Sequence, residues 1–367
     1  MSNMLDYIRW RGDLSLRAVP LCEVDGLILS QLSMIHWEHW LNPGESAALA
    51  SVADRLEGVQ VSAGFTGADD ARLMALATRS ERFGGIRVCG YTQAFDPGDE
   101  MQFSAISMLL PDDTLFLSFR GTDSTLVGWK EDFNMAYSKP VPAQEAAADY
   151  LRRAARWFPG IIRMGGHSKG GNLAVYAAAT ADEAVLTRLT DVYNNDGPGL
   201  SDQIDARALY ARLGSRLHSF VPQSSMVGML LSHPDTFEVV RSDSVSILQH
   251  NPYSWQVEGG RFVRAAGLNR DSVHFESVFR KWLSGVDETH REALVETLFG
   301  ILGASDAERF DGRYLAGLLR SPRVLINAVQ RIPPEARKDA LQALSNLAEI
   351  ALRPGAGERD PRKNDPS

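Results

Sequence analysis

Apolar and polar positions alternate along the middle of the chain in a way that predicts strands and helices in turn. Residues 101–110 and 113–119 form two apolar runs separated by a Pro-Asp-Asp turn, which is typical of two neighbouring strands. Residues 143–158 place apolar side chains on one helical stripe and arginines on the other, which predicts an amphipathic helix. A buried strand at 160–166 and an alanine-rich helix at 171–181 follow. This order predicts an α/β protein with a mostly parallel sheet flanked by helices.

The two ends of the chain have different patterns. Before residue 101, helical periodicity at 23–40 and 70–80 precedes a strand-like run at 86–96. From residue 271 the pattern is helical throughout, and the last residues are polar and rich in Gly and Pro. We therefore expect a main domain over 1–270, a helical extension over 271–355 and a disordered tail over 356–367.

Charge and composition exclude several classes of function. The 367 residues are 44% hydrophobic, and 38 Lys and Arg against 46 Asp and Glu give a net charge of −8. Without a basic run, neither nucleic acid nor an anionic membrane is an expected partner. The two cysteines, Cys22 and Cys89, match no metal or disulfide spacing, and no window is apolar enough for a signal peptide or a membrane span. The expected location is the cytoplasm.

One short motif carries the chemistry. Residues 166–170 read Gly-His-Ser-Lys-Gly, a G-x-S-x-G pattern between a predicted strand and a predicted helix. In a nucleophile elbow the serine occupies a strained turn in which side chains two residues before and after it would collide, so glycine is needed at Gly166 and Gly170. A chance match in a glycine-rich loop is the alternative. The flanking strand and small-residue helix favour Ser168 as a nucleophile.

Such a nucleophile needs hydrogen-bond donors for an oxyanion. The predicted strand 113–119 is followed by Arg-Gly-Thr-Asp, where the backbone N–H of Thr122 or Asp123 could face the serine. The N–H of Lys169, at the start of the helix, is the second predicted donor. Arg120 and Asp123 could equally form a structural ion pair. The side chain of Lys169 could attract an anionic substrate or only be solvated.

A base and an acid complete the prediction. His250 follows a strand-like run and opens a loop, which favours it over His218, His233, His274 and His290. Asp196 ends the strand after the nucleophile's helix and gives the chain order Ser, Asp, His. It could also be only a turn residue in Asn-Asp-Gly-Pro. Asp235 and Asp243 are the alternatives for the acid.

These residues also carry a family resemblance. "FRGTDSTLVGWKEDF" followed by "GGHSKGGNLAVYAA" resembles the class 3, fungal-type lipases, and the chain is more closely similar to the Mbeg-like group over about residues 4–265. The resemblance implies an α/β-hydrolase fold with Ser168 as nucleophile and His250 as base. Where the lipases have an aspartate, in a loop reading roughly D-I-V-P, this chain has Ser225-Met226-Val227-Gly228. The acid is therefore either relocated to Asp196 or absent.

The predicted function is hydrolysis of carboxylic esters by a serine hydrolase, with a small-molecule ester or lipid as substrate and no cofactor. A binding or scaffold protein with a vestigial site, or an acyltransferase or peptidase with the same nucleophile, are the alternatives. His36 and His39 have a helical i, i+3 spacing, but no third ligand is near them in sequence. No metal is predicted.

Overall fold

The computed structural model of the chain contains one large sheet whose strands lie in chain order. It describes residues 1–42, 44–55, 61–62, 66–96, 98, 101–122, 135, 140–201, 204–234, 236–270 and 272. Within this part of the chain, eight strands form the sheet in the order β1 to β8 and two more form a small hairpin. The strands are β1 Ser46–Ala48, β2 Arg87–Asp96, β3 Met101–Leu109, β4 Leu115–Phe119, β5 Ile162–His167, β6 Leu189–Asn195, β7 Leu217–Pro222, β8 Glu238–Val240, β9 Val257–Glu258 and β10 Arg261–Phe262.

The pairing of the strands changes once across the sheet, from antiparallel to parallel. Strands β1 to β4 pair antiparallel, and β4 to β8 pair parallel. Parallel strands end at the same edge of a sheet, so the residues that follow β4 to β8 are brought to one side of the molecule. The predicted mostly parallel sheet is confirmed.

Helices cover both faces of the sheet. The described α-helices are α1 Met4–Arg11, α2 Glu23–Gln31, α3 Gly67–Ala77, α4 Pro142–Trp157, α5 Lys169–Ala179, α6 Glu183–Leu186 and α7 Ala206–Leu213. Short 3₁₀ turns lie at Leu32–Met34, Trp37–His39, Leu49–Arg55, Gly214–Arg216, Ser246–His250 and Pro252–Ser254.

The connections explain which helix covers which face. Crossovers between successive parallel strands are right-handed, so α4, α5 and α7, which join β4 through β7, share one face and one apolar core. The N-terminal helices α1 to α3 fill a second core on the opposite face. Helices on both faces of a mostly parallel sheet make this an α/β-hydrolase architecture, as expected from the motif and the resemblance.

A buried ion pair ties the N-terminal layer together. Arg82 donates through Nε to Asp25 at 2.7 Å and through Nη1 to the carbonyls of Leu14 and Val19 at 3.2 and 3.1 Å. Both charged side chains are fully buried. Removing one partner of such a pair costs about 3–5 kcal/mol, because the other is left as an uncompensated buried charge.

Most predicted elements lie where the pattern placed them, with two exceptions. The helical pattern over 23–40 forms an α-helix only over Glu23–Gln31, and 3₁₀ turns at Leu32–Met34 and Trp37–His39 follow it. The other exception is near the site. The run before His250 is not a strand, because residues Ser246–His250 form a 3₁₀ turn. The predicted helical extension at 271–355 and the disordered tail at 356–367 lie outside the described residues, apart from Ser272. The domain boundary near 270 therefore stays a prediction.

Candidate active site

Ser168 sits on a sharp turn between strand β5 and helix α5. Its backbone has φ 57° and ψ −133°, which places a non-glycine residue in the positive-φ region. Such a conformation costs about 1–3 kcal/mol and persists only where the surrounding structure enforces it. The Ser168 N–H donates to the carbonyl of Asn195 at 3.0 Å, and the Ser168 carbonyl accepts from Gly171 at 2.9 Å. The turn is thus fixed to β6 on one side and to the first turn of α5 on the other.

The two glycines of the motif are there because the backbones touch. A Cβ on Gly166 would lie 2.1 Å from the carbonyl carbon of Gly170. A Cβ on Gly170 would lie 2.1 Å from the carbonyl oxygen of Phe119, at the end of the neighbouring strand β4. Neither contact can be relieved by rotating a side chain. The strand–turn–helix geometry predicted for the motif is confirmed.

His250 and Asp196 lie together at the same edge of the sheet. Asp196 follows the last residue of β6, directly beside the turn that bears Ser168. Its Oδ2 lies 2.7 Å from Nδ1 of His250. Because a carboxylate only accepts, Nδ1 is the donor in this pair, and in the neutral ring the lone pair is left on Nε2. Asp196 is fully buried, whereas His250 keeps 16% of its side chain exposed.

The second oxygen of Asp196 is held by the loop after β7. Its Oδ1 accepts from the hydroxyl of Ser225 and from the N–H of Gly228, the latter at 3.2 Å. These two residues begin and end the segment 225–228, which the sequence resemblance sets against the aspartate loop of the class 3 lipases. This segment supplies donors to Asp196.

Of the two carboxylates named as alternatives, Asp243 is engaged with other partners. Asp243 is exposed and accepts from the N-terminal ammonium at 3.1 Å and from Gln256. Asp235 lies outside the described residues.

Of the other histidines, His218 is engaged away from Ser168. Its Nε2 lies 2.9 Å from Asp191, and its ring stacks on Tyr193 with the centroids 5.0 Å apart. His274 and His290 lie outside the described residues.

His167, which the sequence analysis did not assign to the site, contacts His250. Its Nε2 donates to the backbone carbonyl of His250 at 2.9 Å, and the two rings lie 4.6 Å apart. Burial and the nearby His250 ring hold the pKa of His167 well below its usual range, so the ring stays neutral. Through these contacts His167 supports the turn that carries His250. Its place directly before the serine in the motif was the available signal.

The turn that carries His250 has further anchors. Trp255 Nε1 donates to the carbonyl of Gln249 at 2.9 Å. Tyr253 donates its hydroxyl to Asp70 at 2.6 Å, and burial raises the pKa of that carboxyl. The histidine is thus held from α3 and from its own loop as well as by His167.

The predicted oxyanion loop lies against the serine. A Cβ on Gly121 would be 2.8 Å from the carbonyl oxygen of His167 and 3.4 Å from Cβ of Ser168, so the Gly121-Thr122 backbone passes directly beside the turn. Asp123, the predicted ion-pair partner of Arg120, lies outside the described residues. The guanidinium of Arg120 donates to the carbonyls of Ser33 and Ile35 at 2.9 and 2.7 Å, which ties the end of β4 to the N-terminal layer.

Both alternatives that the sequence suggested for the side chain of Lys169 are wrong. The side chain is neither solvated nor directed towards an incoming anion, because it is 1% exposed. Its ammonium donates to the carbonyl of Gln102 at 3.0 Å and to the side-chain oxygen of Gln102 at 3.1 Å. The predicted chemistry uses its backbone N–H, at the positive end of the α5 dipole.

No membrane-spanning helix and no metal-binding cluster occur among the described residues. No helix there is long and apolar enough to cross a membrane. No group of three or more His, Cys, Asp and Glu side chains is arranged there to hold a metal ion. His36 instead binds Glu38 through Nδ1 at 2.8 Å. This contact and the Tyr91 hydroxyl lower the pKa of Glu38 to about 2, against the opposing effect of partial burial.

Comparisons with known proteins give a matching family model and similar lipase structures. A family model described as Mbeg1-like matches residues 77–300, a range that differs at both ends from the 4–265 of the sequence resemblance. The chain is similar to the Rhizomucor miehei lipase in its propeptide complex, with 15% identity over 45% of this chain and 67% of the lipase and a TM-score of 0.33. It is similar to a triacylglycerol lipase from Penicillium expansum, with 12% identity over 49% of this chain and 75% of the lipase and a TM-score of 0.32. No curated protein matches the chain.

Proposed function

This chain belongs to the Mbeg1-like family, and we propose that it is a serine hydrolase that cleaves carboxylic esters through an acyl-enzyme on Ser168. The observation that carries the proposal is the 2.7 Å contact between His250 Nδ1 and Asp196 Oδ2, beside a serine held at positive φ. A buried carboxylate that orients a partly exposed histidine, at the sheet edge where a strained serine lies, is the arrangement that activates a hydroxyl nucleophile.

The proposed reaction uses these residues in two halves. His250 Nε2 takes the proton of the Ser168 hydroxyl as the oxygen attacks the ester carbonyl, and Asp196 stabilises the imidazolium that forms. The backbone N–H groups of Lys169 and Thr122 donate to the oxyanion. His250 then gives its proton to the leaving alcohol, which leaves an acyl-enzyme. Water activated by the same histidine releases the acid and restores the serine.

The contacts of Asp196 favour this proposal over a vestigial site. The binding-protein alternative depended on the missing lipase-type aspartate, and a buried, hydrogen-bonded carboxylate on His250 supplies that function from another strand. Acyl transfer and peptide cleavage use the same intermediate and differ only in the acceptor or the substrate. A small-molecule ester or lipid is the proposed substrate class, and the steps above require no cofactor.

Covalent labelling tests the proposal directly. The parent protein treated with a fluorophosphonate probe should gain one adduct by intact-mass spectrometry, and peptide mapping should place it on Ser168. Ser168→Ala should gain none and should not cleave p-nitrophenyl esters of graded acyl length. Ser118→Ala is the matched control, because it removes the hydroxyl of a fully buried serine whose Oγ binds the Ser30 carbonyl. A folded parent protein that takes up no probe, or takes it up on another residue, would overturn the hydrolase assignment.

A further inference from the structure

We infer that the turn after β7, residues 222–228, is the element that sets Asp196 in register with His250, and that Ser225 is its positioning residue. The inference rests on the proposed function and adds to it a residue outside the serine, histidine and aspartate. It assigns Ser225 no contact with the substrate. Ser225 acts only through the carboxylate of Asp196.

The two carboxylate oxygens of Asp196 have different partners. Oδ2 faces His250, while Oδ1 accepts from the Ser225 hydroxyl and the Gly228 N–H. The carboxylate and the Ser225 side chain are both buried, with relative exposures of 0% and 1%. A buried carboxylate without donors is costly, so these contacts decide which rotamer Asp196 keeps.

The backbone conformation of Asp196 supports the same role for this turn. Its φ is 52°, an unusual value for a residue other than glycine. Its N–H still donates to the carbonyl of Phe220 on β7 at 2.8 Å, so the main chain remains in the sheet. A side chain that leaves the sheet from such a conformation needs fixed partners. Ser225 and Gly228 hold Oδ1, the carboxylate oxygen that does not face His250.

The same turn also contacts the residue that precedes His250. The Ser224 N–H donates to the side-chain oxygen of Gln249 at 2.6 Å, and Gln249 immediately precedes His250. The side-chain nitrogen of Gln249 donates to the carbonyl of Ser244 at 3.0 Å. One turn therefore binds the acid through Ser225 and the loop of the base through Ser224, so a shift of this turn changes both positions together.

The turn also packs closely against the carboxylate at Gly228. A Cβ on Gly228 would lie 2.3 Å from Asp196 Oδ1 and 2.9 Å from the Ser225 hydroxyl. The N–H of residue 228 can reach the carboxylate because no side chain intervenes. During catalysis the imidazolium of His250 needs the carboxylate in place on Nδ1, and this packing holds Oδ2 there.

The test compares labelling rates of Ser168 by a fluorophosphonate probe in four proteins: the parent, Ser225→Ala, Asp196→Asn and the double variant. Loss of a hydrogen bond to a charged group should slow labelling by roughly 10- to 100-fold in Ser225→Ala. If Ser225 acts through Asp196, the same change in the Asp196→Asn background should slow it by less than about 2-fold, because the two residues belong to one unit. Ser118→Ala should label at the parent rate.

The outcomes separate this inference from the proposed function. A parent protein that does not label at Ser168 refutes the proposed function, and this inference with it. A parent that labels while Ser225→Ala labels equally fast refutes only the positioning role. Multiplicative effects of Ser225→Ala and Asp196→Asn also refute it, because they would indicate a general structural role. If Ser225→Ala does not fold, Ser225→Cys keeps the volume with a weaker donor and should label at a rate between alanine and serine; a rate equal to the parent's refutes the inference.

Discussion

The Nδ1 atom of His250 lies 2.7 Å from Oδ2 of Asp196, although 54 residues separate them along the chain. Asp196 follows β6, and His250 lies on a turn after β8. The two strands are parallel members of one sheet with β7 between them, so their carboxyl ends reach the same edge. The contact is a product of the sheet order and of the loops that cross that edge.

Replacing Asp196 with asparagine should lower the rate of acylation by about four orders of magnitude, because the amide presents a donor to His250 and favours the wrong tautomer of the ring. The side chain keeps its size, and its oxygen can still accept from Ser225 and Gly228. The melting temperature should therefore change little. Burst-phase kinetics with an activated ester and a thermal melt measure the two effects. Parent-like turnover in Asp196→Asn would remove Asp196 from the catalytic group.

Adding one methyl group at Gly228 should impair activity through Asp196. The new Cβ would meet Asp196 Oδ1 at 2.3 Å, so the carboxylate must move or the turn must shift. We expect a loss of kcat of at least about 10-fold with a smaller effect on KM, because the acid acts on the transition state rather than on substrate binding. Gly85→Ala is the matched control, since its nearest neighbour would be Pro111 at 3.8 Å. Equal kcat values for the two variants would contradict the prediction.

The glycines of the elbow should be needed for folding as well as for activity. Gly166→Ala would place a Cβ 2.1 Å from the backbone of Gly170, and no rotamer relieves that overlap. The free energy of unfolding should fall by about 3 kcal/mol or more, as overpacking of rigid backbone does. Urea denaturation measures it, with Gly267→Ala as the control because no atom lies within 4 Å of the new methyl group. An unchanged denaturation midpoint for Gly166→Ala would show that this backbone contact can relax.

His167 should make the protein less stable in mild acid. The native state holds the pKa of His167 well below its usual range, whereas the unfolded chain titrates this ring near pH 6.5. Below that pH the unfolded state binds more protons, so the stability present above about pH 6.5 is lost as the pH falls. The loss is at most about 1.4 kcal/mol per pH unit.

His167→Gln removes this titration and keeps a donor for the His250 carbonyl. The free energy of unfolding of the parent protein, measured from pH 7.5 to 5, should therefore decline more steeply than that of the variant. Parallel pH profiles for the two proteins would mean that the ring does not resist protonation in the native state.

Local features of the site could be read from the chain because each depends on near neighbours. The turn at Ser168 needs glycine at positions 166 and 170, and a strand before it and a helix after it show up as patterns of a few residues. The strand that ends just before Asp196 could be predicted for the same reason. The run before His250 could not, because a 3₁₀ turn of five residues has no distinctive periodicity.

What the sequence determined by itself was the class of fold and the strand–turn–helix geometry around Ser168, since hydrophobic periodicity and close backbone contacts are properties of adjacent residues. Only the tertiary structure decided the partners of Asp196. Ser225 and Gly228 reach it from another strand's loop, and His167 reaches His250 across 83 residues. The buried contact of Lys169 with Gln102 was equally hidden, since a lysine beside a nucleophile has the same letters whether it faces solvent or the core. Contacts between distant segments depend on how strands are ordered in the sheet, and that order is set by packing of the whole chain.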